Sequence, residues 1–258
     1  HHYVLFFTNK GRVHRLKGHE IPEAGRNARG VAVINLIHLE PGERIEATIP
    51  IVEYSDDQYL IMATKKGMVK KTALTEYDSP RSGLIGILLD EDDEVVSVRL
   101  TDGNQEIILV TSEGQAIRFE EQLVRPMGRS ARGVKGITLE ENDFVVSMDV
   151  VANGQDLLVV TENGFGKRTG IEDYRITNRG GKGIKTLKRT AKTGRIVGAK
   201  MVNENEEVML ISMEGIMIRL SVADISRLGR DTQGVILMKL GENDKVVAAA
   251  HLAAKDDE

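Results

Sequence analysis

The feature that most constrains the fold of this chain is a unit of about fifty residues that occurs five times within its 258 residues. Each copy has an apolar segment, a turn glycine, and a second segment with a basic residue four positions after that glycine. The glycines are Gly11, Gly67, Gly114, Gly164 and Gly215, and the basic residues are Arg15, Lys71, Arg118, Arg168 and Arg219. A repeat of this length predicts a supersecondary unit that buries its faces only by stacking on its neighbours.

Each copy is predicted to contain four short strands. The first is a continuous apolar run, such as residues 107–110, which is typical of a strand buried on both faces. The turn glycine after it suits a hairpin. The second strand alternates, the third follows a second glycine, and the fourth follows an acidic turn. We align the second glycine as Gly30, Gly83, Gly133, Gly180 and Gly234, and expect third strands at residues 31–36, 84–89, 134–139, 184–187 and 235–240.

Four short strands per repeat predict an all-β fold made of propeller-like blades. We expect a single domain over residues 1–258, with approximate blades at 1–52, 53–102, 103–152, 153–202 and 203–258. Aromatic residues make up 4% of the chain and tryptophan is absent, which argues against a propeller of the Trp-Asp type. A pair of β-sandwiches is the alternative, but it does not require two glycines at fixed places in every repeat.

Composition excludes several classes of protein. The chain has no cysteine, which rules out disulfides and thiolate metal sites and fits a reducing cytoplasm. It has no apolar run long enough to span a membrane and no secretory signal. The histidines show no ligand spacing and no catalytic constellation is visible. We therefore expect no metal, no cofactor and no enzymatic turnover.

The charges follow the repeat, although the net charge is −4. Cations fall in the first half of each copy and in the linker that follows, whereas acids fall in the turn before the fourth strand. The sequence therefore predicts a positive belt, and because aromatic stacking platforms are scarce, duplex phosphate is the expected partner. The candidate DNA contacts are Arg12, Arg15, Arg26, Arg29, Lys65, Lys66, Lys70, Lys71, Arg81, Arg118, Arg129, Arg132, Lys135, Lys167, Arg168, Arg179, Lys182, Lys185, Arg219 and Arg230.

The alternative interpretation of these cations is a solvated surface with no partner. Five phosphate contacts, one per repeat, would give a slope of log affinity against log salt of about −4.5. We also expect reversal of Arg168 and Arg219 to weaken DNA binding much more than it lowers the melting temperature.

Three stretches carry a family resemblance: TENGFGKRT at residues 161–169, RPMGRSARGVKGI at 125–137 and GRDTQGV at 229–235. With these stretches the whole chain resembles the C-terminal domain of the larger, DNA-cleaving (A) subunit of bacterial DNA gyrase. The resemblance implies a β-pinwheel, a disc of six blades with DNA wrapped round a basic rim to introduce negative supercoils. It also implies a non-catalytic domain, with the DNA-cleaving tyrosine elsewhere in the gyrase polypeptide. The implied partners are double-stranded DNA, the rest of the gyrase A polypeptide, and gyrase B in an A2B2 enzyme, in the cytoplasm at the nucleoid.

The family's gyrase box, Gln-Arg-Arg-Gly-Gly-Lys-Gly, belongs to the first of six blades. Here the similar motif lies in the fourth copy and comprises Asn178, Arg179, Gly180, Gly181, Lys182 and Gly183. The comparison implies that the box-bearing blade is missing from this chain. The related disc of topoisomerase IV is the nearest alternative. A propeller that binds an acidic protein and a propeller enzyme with a central-channel site are two further alternatives.

Overall fold

The structure is a computed structural model that describes residues 2–24, 29–30, 32 and 35–252. Regular structure in these ranges consists of β-strands and single-turn 3-10 helices, which confirms the all-β prediction. The strands are β1 (Tyr3–Thr8), β2 (Arg12–Lys17), β3 (Ile45–Ile51), β4 (Tyr59–Thr64), β5 (Met68–Ala73), β6 (Leu84–Ile85), β7 (Val95–Thr101), β8 (Glu106–Thr111), β9 (Gln115–Glu120), β10 (Val134–Lys135), β11 (Val145–Val151), β12 (Asp156–Thr161), β13 (Phe165–Gly170), β14 (Ile184–Lys185), β15 (Ile196–Val202), β16 (Glu207–Ser212), β17 (Met217–Ser221), β18 (Val235–Ile236) and β19 (Val246–Leu252). The 3-10 helices are Gly18–Glu20, Leu74–Tyr77, Glu121–Leu123, Ile171–Asp173 and Val222–Asp224.

The sequence predicts first strands at residues 4–7, 60–63, 107–110, 157–160 and 208–211 and fourth strands at 45–49, 95–100, 145–150, 196–201 and 246–251, and the structure has them there to within two residues. The first two strands of a repeat form an antiparallel hairpin, as β8 and β9 do, and the fourth pairs with the other edge of the first, as β11 does with β8. The turn glycine of this hairpin, Gly114, has a φ of +94°. A positive φ costs little free energy only in glycine, so the hairpin turn favours glycine at this point of the repeat.

Each four-stranded sheet draws its strands from two repeats. The sheet orders are β3-β1-β2-β6, β10-β5-β4-β7, β11-β8-β9-β14 and β15-β12-β13-β18, with a three-stranded sheet β17-β16-β19 formed by the described residues of the last repeat. The first, second and fourth strands belong to one repeat, and the short edge strand belongs to the next. The sequence predicts all four strands in the sheet of their own repeat, because period and polarity do not reveal which sheet a strand joins.

The third strands are much shorter than predicted: two residues instead of four to six. The amides of Gly86 and Ile87 both donate to the carbonyl oxygen of Gly11, and those of Thr186 and Leu187 both donate to Gly114. The receiving strand begins directly after that turn glycine, so the ladder ends there. In the first repeat the predicted strand 31–36 includes residues 31, 33 and 34, which lie outside the described residues.

One glycine of our alignment needs correction. The glycine before the short strand of the fourth repeat is Gly183, not Gly180, because β14 starts at Ile184. Gly183 has a φ of +75°, and a Cβ atom there would collide with the carbonyl oxygen of Ala116. The corresponding Gly234 faces the carbonyl oxygen of Gly166 in the same way. Close approach of a short strand to the hairpin therefore requires glycine at this position.

The chain divides into two compact units, His1–Gly103 with Val124–Val134, and Asn104–Leu123 with Lys135–Glu258. The first is built round one cluster of buried apolar side chains that includes Leu5, Leu60 and Tyr77. The described part of the second includes a cluster round Leu157 and another round Leu210. Among the described residues no helix is long and apolar enough to cross a bilayer.

Candidate nucleic-acid interface

The five repeated strand cations are mostly interior. Lys71, Arg118 and Arg168 are buried, with 4%, 9% and 6% of their surface exposed, while Arg15 is half-buried and Arg219 is partly exposed. This corrects the expectation that a cation at this position of every repeat forms an exposed belt. A duplex phosphate cannot reach the three buried groups while the sheets stay intact, so they do not belong to a surface interface.

In the second compact unit each strand cation pairs with an acid near the start of the first strand. Arg118 Nε lies 3.0 Å from Glu106, Arg168 Nη1 lies 3.0 Å from Asp156, and Arg219 Nε lies 3.0 Å from Glu207. In the first compact unit the same place is held by tyrosine. The Arg15 guanidinium lies 4.2 Å from the centre of the Tyr3 ring, and the Lys71 ammonium lies 5.2 Å from that of Tyr59.

These cations also hold the linker of the next repeat. Arg118 Nη1 donates to the carbonyl oxygens of Ile171 and Tyr174, both at 2.9 Å, and Arg168 Nε donates to that of Ile225 at 2.8 Å. Isolated parallel bridges join Arg118 to Ile176 and Arg168 to Arg227. Each linker therefore runs along the outer edge of a hairpin, and a buried cation fixes its start.

Lys70 and Lys167, one position before the strand cation, are completely buried. Together with Lys71, Arg118 and Arg168 they are the five predicted contacts that the structure places inside. The sequence of the strand does not show that a linker from the next repeat covers this edge.

The remaining predicted contacts lie at or near the surface. Those classed as exposed or partly exposed are Arg12, Arg15, Arg29, Lys65, Lys66, Arg81, Arg129, Arg132, Lys135, Arg179, Lys182, Lys185, Arg219 and Arg230. Arg26 lies outside the described residues. Arg12 is tied to Glu43 through Nε at 3.0 Å and Nη2 at 2.7 Å, and this contact holds the pKa of Glu43 down at about 2. Arg12 is therefore committed to a structural pair.

Three linker arginines occupy one equivalent place. Arg129, Arg179 and Arg230 each lie four residues before the glycine that precedes a short strand. Each donates from Nη1 to the second residue of the preceding repeat's short strand, and the acceptors are the carbonyl oxygens of Ile85, Lys135 and Lys185 at 2.9, 3.0 and 3.0 Å. The spacing becomes visible in the sequence only once Gly183 replaces Gly180 in the alignment.

In the second compact unit the box-like motif lines a cleft of about 500 Å³. Its walls are strand residues Ala116, Ile117 and Arg118 on one side and the linker from Thr177 to Ile184, with Arg175, on the other. Lys182 pairs with Glu140 at 3.2 Å and Lys185 with Asp231 at 3.3 Å, and all four side chains are at least half exposed. Exposed pairs of this kind contribute little, so both lysines can exchange their partner for a phosphate.

The acids before the fourth strand hold hairpin turns. Oδ1 of Asp143 accepts from the Ser112 hydroxyl at 2.8 Å and from the amides of Glu113 and Phe144. Desolvation alone would raise the pKa of Asp244, but hydrogen bonds from the Ser212 side chain and from amides that include those of Glu214 and Lys245 outweigh it and lower the pKa. The segregation of charge seen in the sequence thus has a structural cause on its acidic side. In the described ranges, no three His, Cys, Asp or Glu side chains are grouped so that they could hold a metal ion.

Comparison with known proteins gives one consistent result. The sequence profile described as "DNA gyrase C-terminal domain, beta-propeller" matches residues 2–51, 58–102, 105–152, 155–203 and 206–252. The chain is 57% identical to the DNA gyrase A protein of Halalkalibacterium halodurans and 52% identical to that of Clostridium acetobutylicum, in each case over 100% of this chain and 31% of the relative. It therefore spans about a third of the length of these relatives.

Two solved structures share the fold. A C-terminal domain of DNA topoisomerase IV superposes with a TM-score of 0.93 at 32% identity, over 99% of this chain and 80% of that one. A DNA gyrase A C-terminal domain superposes with a TM-score of 0.84 at 28% identity, over 98% of this chain and 83% of that one.

Proposed function

Because this chain belongs to the family of DNA gyrase C-terminal β-propeller domains, we propose that it binds duplex DNA along its exposed linker cations and bends the duplex into a wrap. This family describes a non-catalytic part of gyrase A, with the reaction centre elsewhere, so the proposal is one of binding and not of turnover. As part of a gyrase built from gyrase A and gyrase B in the cytoplasm, the wrap would set the sign of supercoiling.

The observation that carries the proposal is the repeated placement of exposed cations on the linkers. Arg129, Arg179 and Arg230 recur at one place, and Arg132 and Lys182 recur directly before the short-strand glycine. Among the described residues, the linkers of the second to fifth repeats lead into short strands that form one edge of a sheet, and the fourth strand forms the opposite edge. Side chains on one edge of successive sheets suit a ligand that is itself a repeating line of charge, such as a duplex backbone.

Binding should be steeply sensitive to salt and weakly sensitive to sequence. Of the predicted contacts, those exposed on the linkers and short strands are Arg29, Arg81, Arg132, Lys135, Lys182 and Lys185. If each neutralises one phosphate, the slope of log affinity against log salt is about −5. Bending 20–30 base pairs by 40–90° costs roughly 1–6 kcal/mol, so many such contacts have to act together.

A pair of charge reversals tests the position of the interface. Lys182→Glu with Lys185→Glu should weaken binding to a linear duplex by about tenfold or more per side chain near 0.1 M salt. The matched control is Lys192→Glu with Lys200→Glu, which changes net charge equally on the turn and strand at the opposite edge of the same repeat. Equal weakening by both pairs would mean that total charge, and not the linker, governs binding.

The wrap itself is tested by the linking number. Nicked circular DNA is sealed by ligase with the chain bound, and the protein is then removed. A linking difference that grows with protein in the positive direction supports a chiral wrap and a role in negative supercoiling. Binding without a change in linking number supports the second candidate, a DNA-binding domain of the topoisomerase IV type. The TM-score of 0.93 with such a domain favours this candidate.

A further inference from the structure

The position three residues after each turn glycine separates the repeats into two kinds. It is occupied by His14, Lys70, Ile117, Lys167 and Ile218 in chain order. The side chains of Lys70 and Lys167 have no exposed surface. A buried ammonium is costly unless its donors are matched by acceptors, so these two lysines require a specific set of partners.

Those partners are backbone carbonyls, which lie in the following linker except for that of Gly86, the residue after β6 in the repeat of Lys70. Lys167 Nζ donates to the carbonyl oxygens of Gly229 and Arg230, both at 2.7 Å, and of Thr232 at 3.0 Å. Lys70 Nζ donates to the carbonyl oxygen of Arg129 at 2.6 Å and to that of Gly86. Arg129 and Arg230 are the equivalent arginines of the proposed interface. Each lysine is therefore enclosed by the linker that carries one of these partly exposed arginines.

The fourth-repeat linker shows what happens without a lysine. There Ile117 faces the linker, and a Cβ atom added to Gly181 would still lie 3.8 Å from Ile117 Cδ1. The space between strand and linker is the cleft of about 500 Å³. This linker is instead held from its far side, where Thr138 donates from its hydroxyl to Gly180 at 2.6 Å and from its amide to Gly181 at 2.9 Å.

We propose that Lys70 and Lys167 are positioning residues of the DNA-binding linkers: each ammonium gathers the linker carbonyls and so fixes the place of Arg129 or Arg230 at the sheet edge. The effect on DNA rests on the proposed function. The contact between each ammonium and the linker carbonyls, which we call the clamp, does not rest on it and can be measured without DNA.

The charges round each lysine make the clamp sensitive to pH. Burial is the largest cause that lowers the pKa of Lys167, to about 8, and that of Lys70, to about 7. Asp231 opposes and Arg230 adds to the shift at Lys167, while Glu76 opposes and Arg129 adds to it at Lys70. Tyr77 also donates its hydroxyl to Gly86.

The two clamps should therefore respond differently to deprotonation. A neutral amine keeps two N–H donors. Lys70 has two carbonyl partners and can retain both, whereas Lys167 has three carbonyl partners and the Thr232 hydroxyl oxygen and has to share its two remaining donors among them. Because burial lowers both pKa values, loss of the charge favours the closed linker, through about pH 8 for the linker that carries Arg230 and through about pH 7 for the one that carries Arg129.

Hydrogen exchange on the 258-residue chain tests the clamp directly. In Lys167→Met the amides of residues 229–232 should exchange about tenfold faster than in the parent chain, after correction for intrinsic rates. Protection of these amides should rise between about pH 7 and 9 in the parent, because the Lys167 pKa of about 8 lies below the ordinary value of 10.5 that the side chain regains when the linker opens, and it should stay flat in the variant. Ile117→Met is the matched control at the same position and should leave residues 178–183 unchanged. Equal protection at 229–232 in the parent and Lys167→Met would overturn the proposal.

Binding to a linear duplex then tests the consequence. Lys70→Met with Lys167→Met should weaken binding about tenfold while the melting temperature holds or rises, because two costly buried charges are removed. The single variants give the same comparison if the double variant does not fold. Affinity and melting temperature falling together would make the lysines purely structural and overturn the positioning role. If the parent chain fails to bind duplex DNA, the proposed function is lost, and hydrogen exchange still decides the clamp.

Discussion

The two compact units differ in the side chains that stabilise the repeated strand cation. In both, a cation sits four residues after the turn glycine and points across the hairpin. In the first unit its partner is an aromatic ring, Tyr3 for Arg15 and Tyr59 for Lys71. In the second unit its partner is a carboxylate, Glu106 for Arg118 and Asp156 for Arg168, and both arginines also donate to main-chain carbonyls; Arg168 has a further, exposed partner in Glu204.

This difference shows what the repeat preserves. The cation recurs because it joins a hairpin to the linker beside it, and the partner varies with the surroundings. A ring stabilises a cation without carrying charge itself. A buried carboxylate needs its own compensation, and Asp156 accordingly contacts both Arg168 at 3.0 Å and Arg227 at 3.1 Å. The second unit therefore contains buried ionic networks whose parts depend on each other.

The largest expected effect follows from that dependence. Arg168→Met leaves Asp156 buried with half of its compensation, so the free energy of unfolding should fall by about 3 kcal/mol. Chemical denaturation measures it. Adding Asp156→Leu should recover most of the loss, because the uncompensated charge is then gone. A loss that stays the same in the double variant would show that packing of the guanidinium, and not the ion pair, stabilises this hairpin.

Removal of the corresponding cation from the first unit should cost less. In Arg15→Met no buried charge is left alone: the variant loses the contact with Tyr3 and hydrogen bonds to Tyr54 at 3.2 Å and to the exposed Asp78 at 2.9 Å. We expect a loss of about 1–2 kcal/mol by denaturation. Tyr3→Phe keeps the ring and is the control that should change little. A loss equal to that of Arg168→Met would remove the distinction between the two units.

The dependence of stability on acid pH should reveal the contribution of Glu43 in the first unit. The pKa of Glu43 lies at about 2, below its ordinary value of 4.5, chiefly because Arg12 donates to it. Its contribution is therefore present above about pH 4.5 and is lost as the pH falls towards 2. Glu43→Gln should cost about 1.5 kcal/mol near neutral pH and almost nothing at the acid end of this range. The free energy of unfolding is measured for the parent and for Glu43→Gln over this pH range. If the difference between the two stays constant, the assignment is contradicted.

Much of the fold is readable from the sequence, but the exchange of strands is not. Apolar runs such as residues 107–110 and the turn glycines locate the hairpins, because burial and positive φ act locally. The two-residue strand β14 and its partner β9 are far apart in the chain, and nothing in the alternation of Gln115-Ala-Ile-Arg-Phe says that another repeat covers it. The burial of Arg118 and Lys167 follows from that covering. Because this covering is not visible in the sequence, both residues were predicted to contact DNA.

The smallest effect on stability is expected at Arg219, where the repeated cation is accessible. The described part of its sheet has three strands, and Arg219 pairs only loosely with Glu207, with 55% and 36% of their side chains exposed. Arg219→Gln should change the free energy of unfolding by less than about 0.5 kcal/mol. It should nevertheless weaken duplex binding several-fold, since this guanidinium can exchange its partner for a phosphate, whereas Arg168→Met should act through stability. Denaturation and a duplex titration on the two variants separate these roles. If Arg219→Gln binds DNA as tightly as the parent, the strand cation stabilises the fold in every repeat and the interface is confined to the linkers.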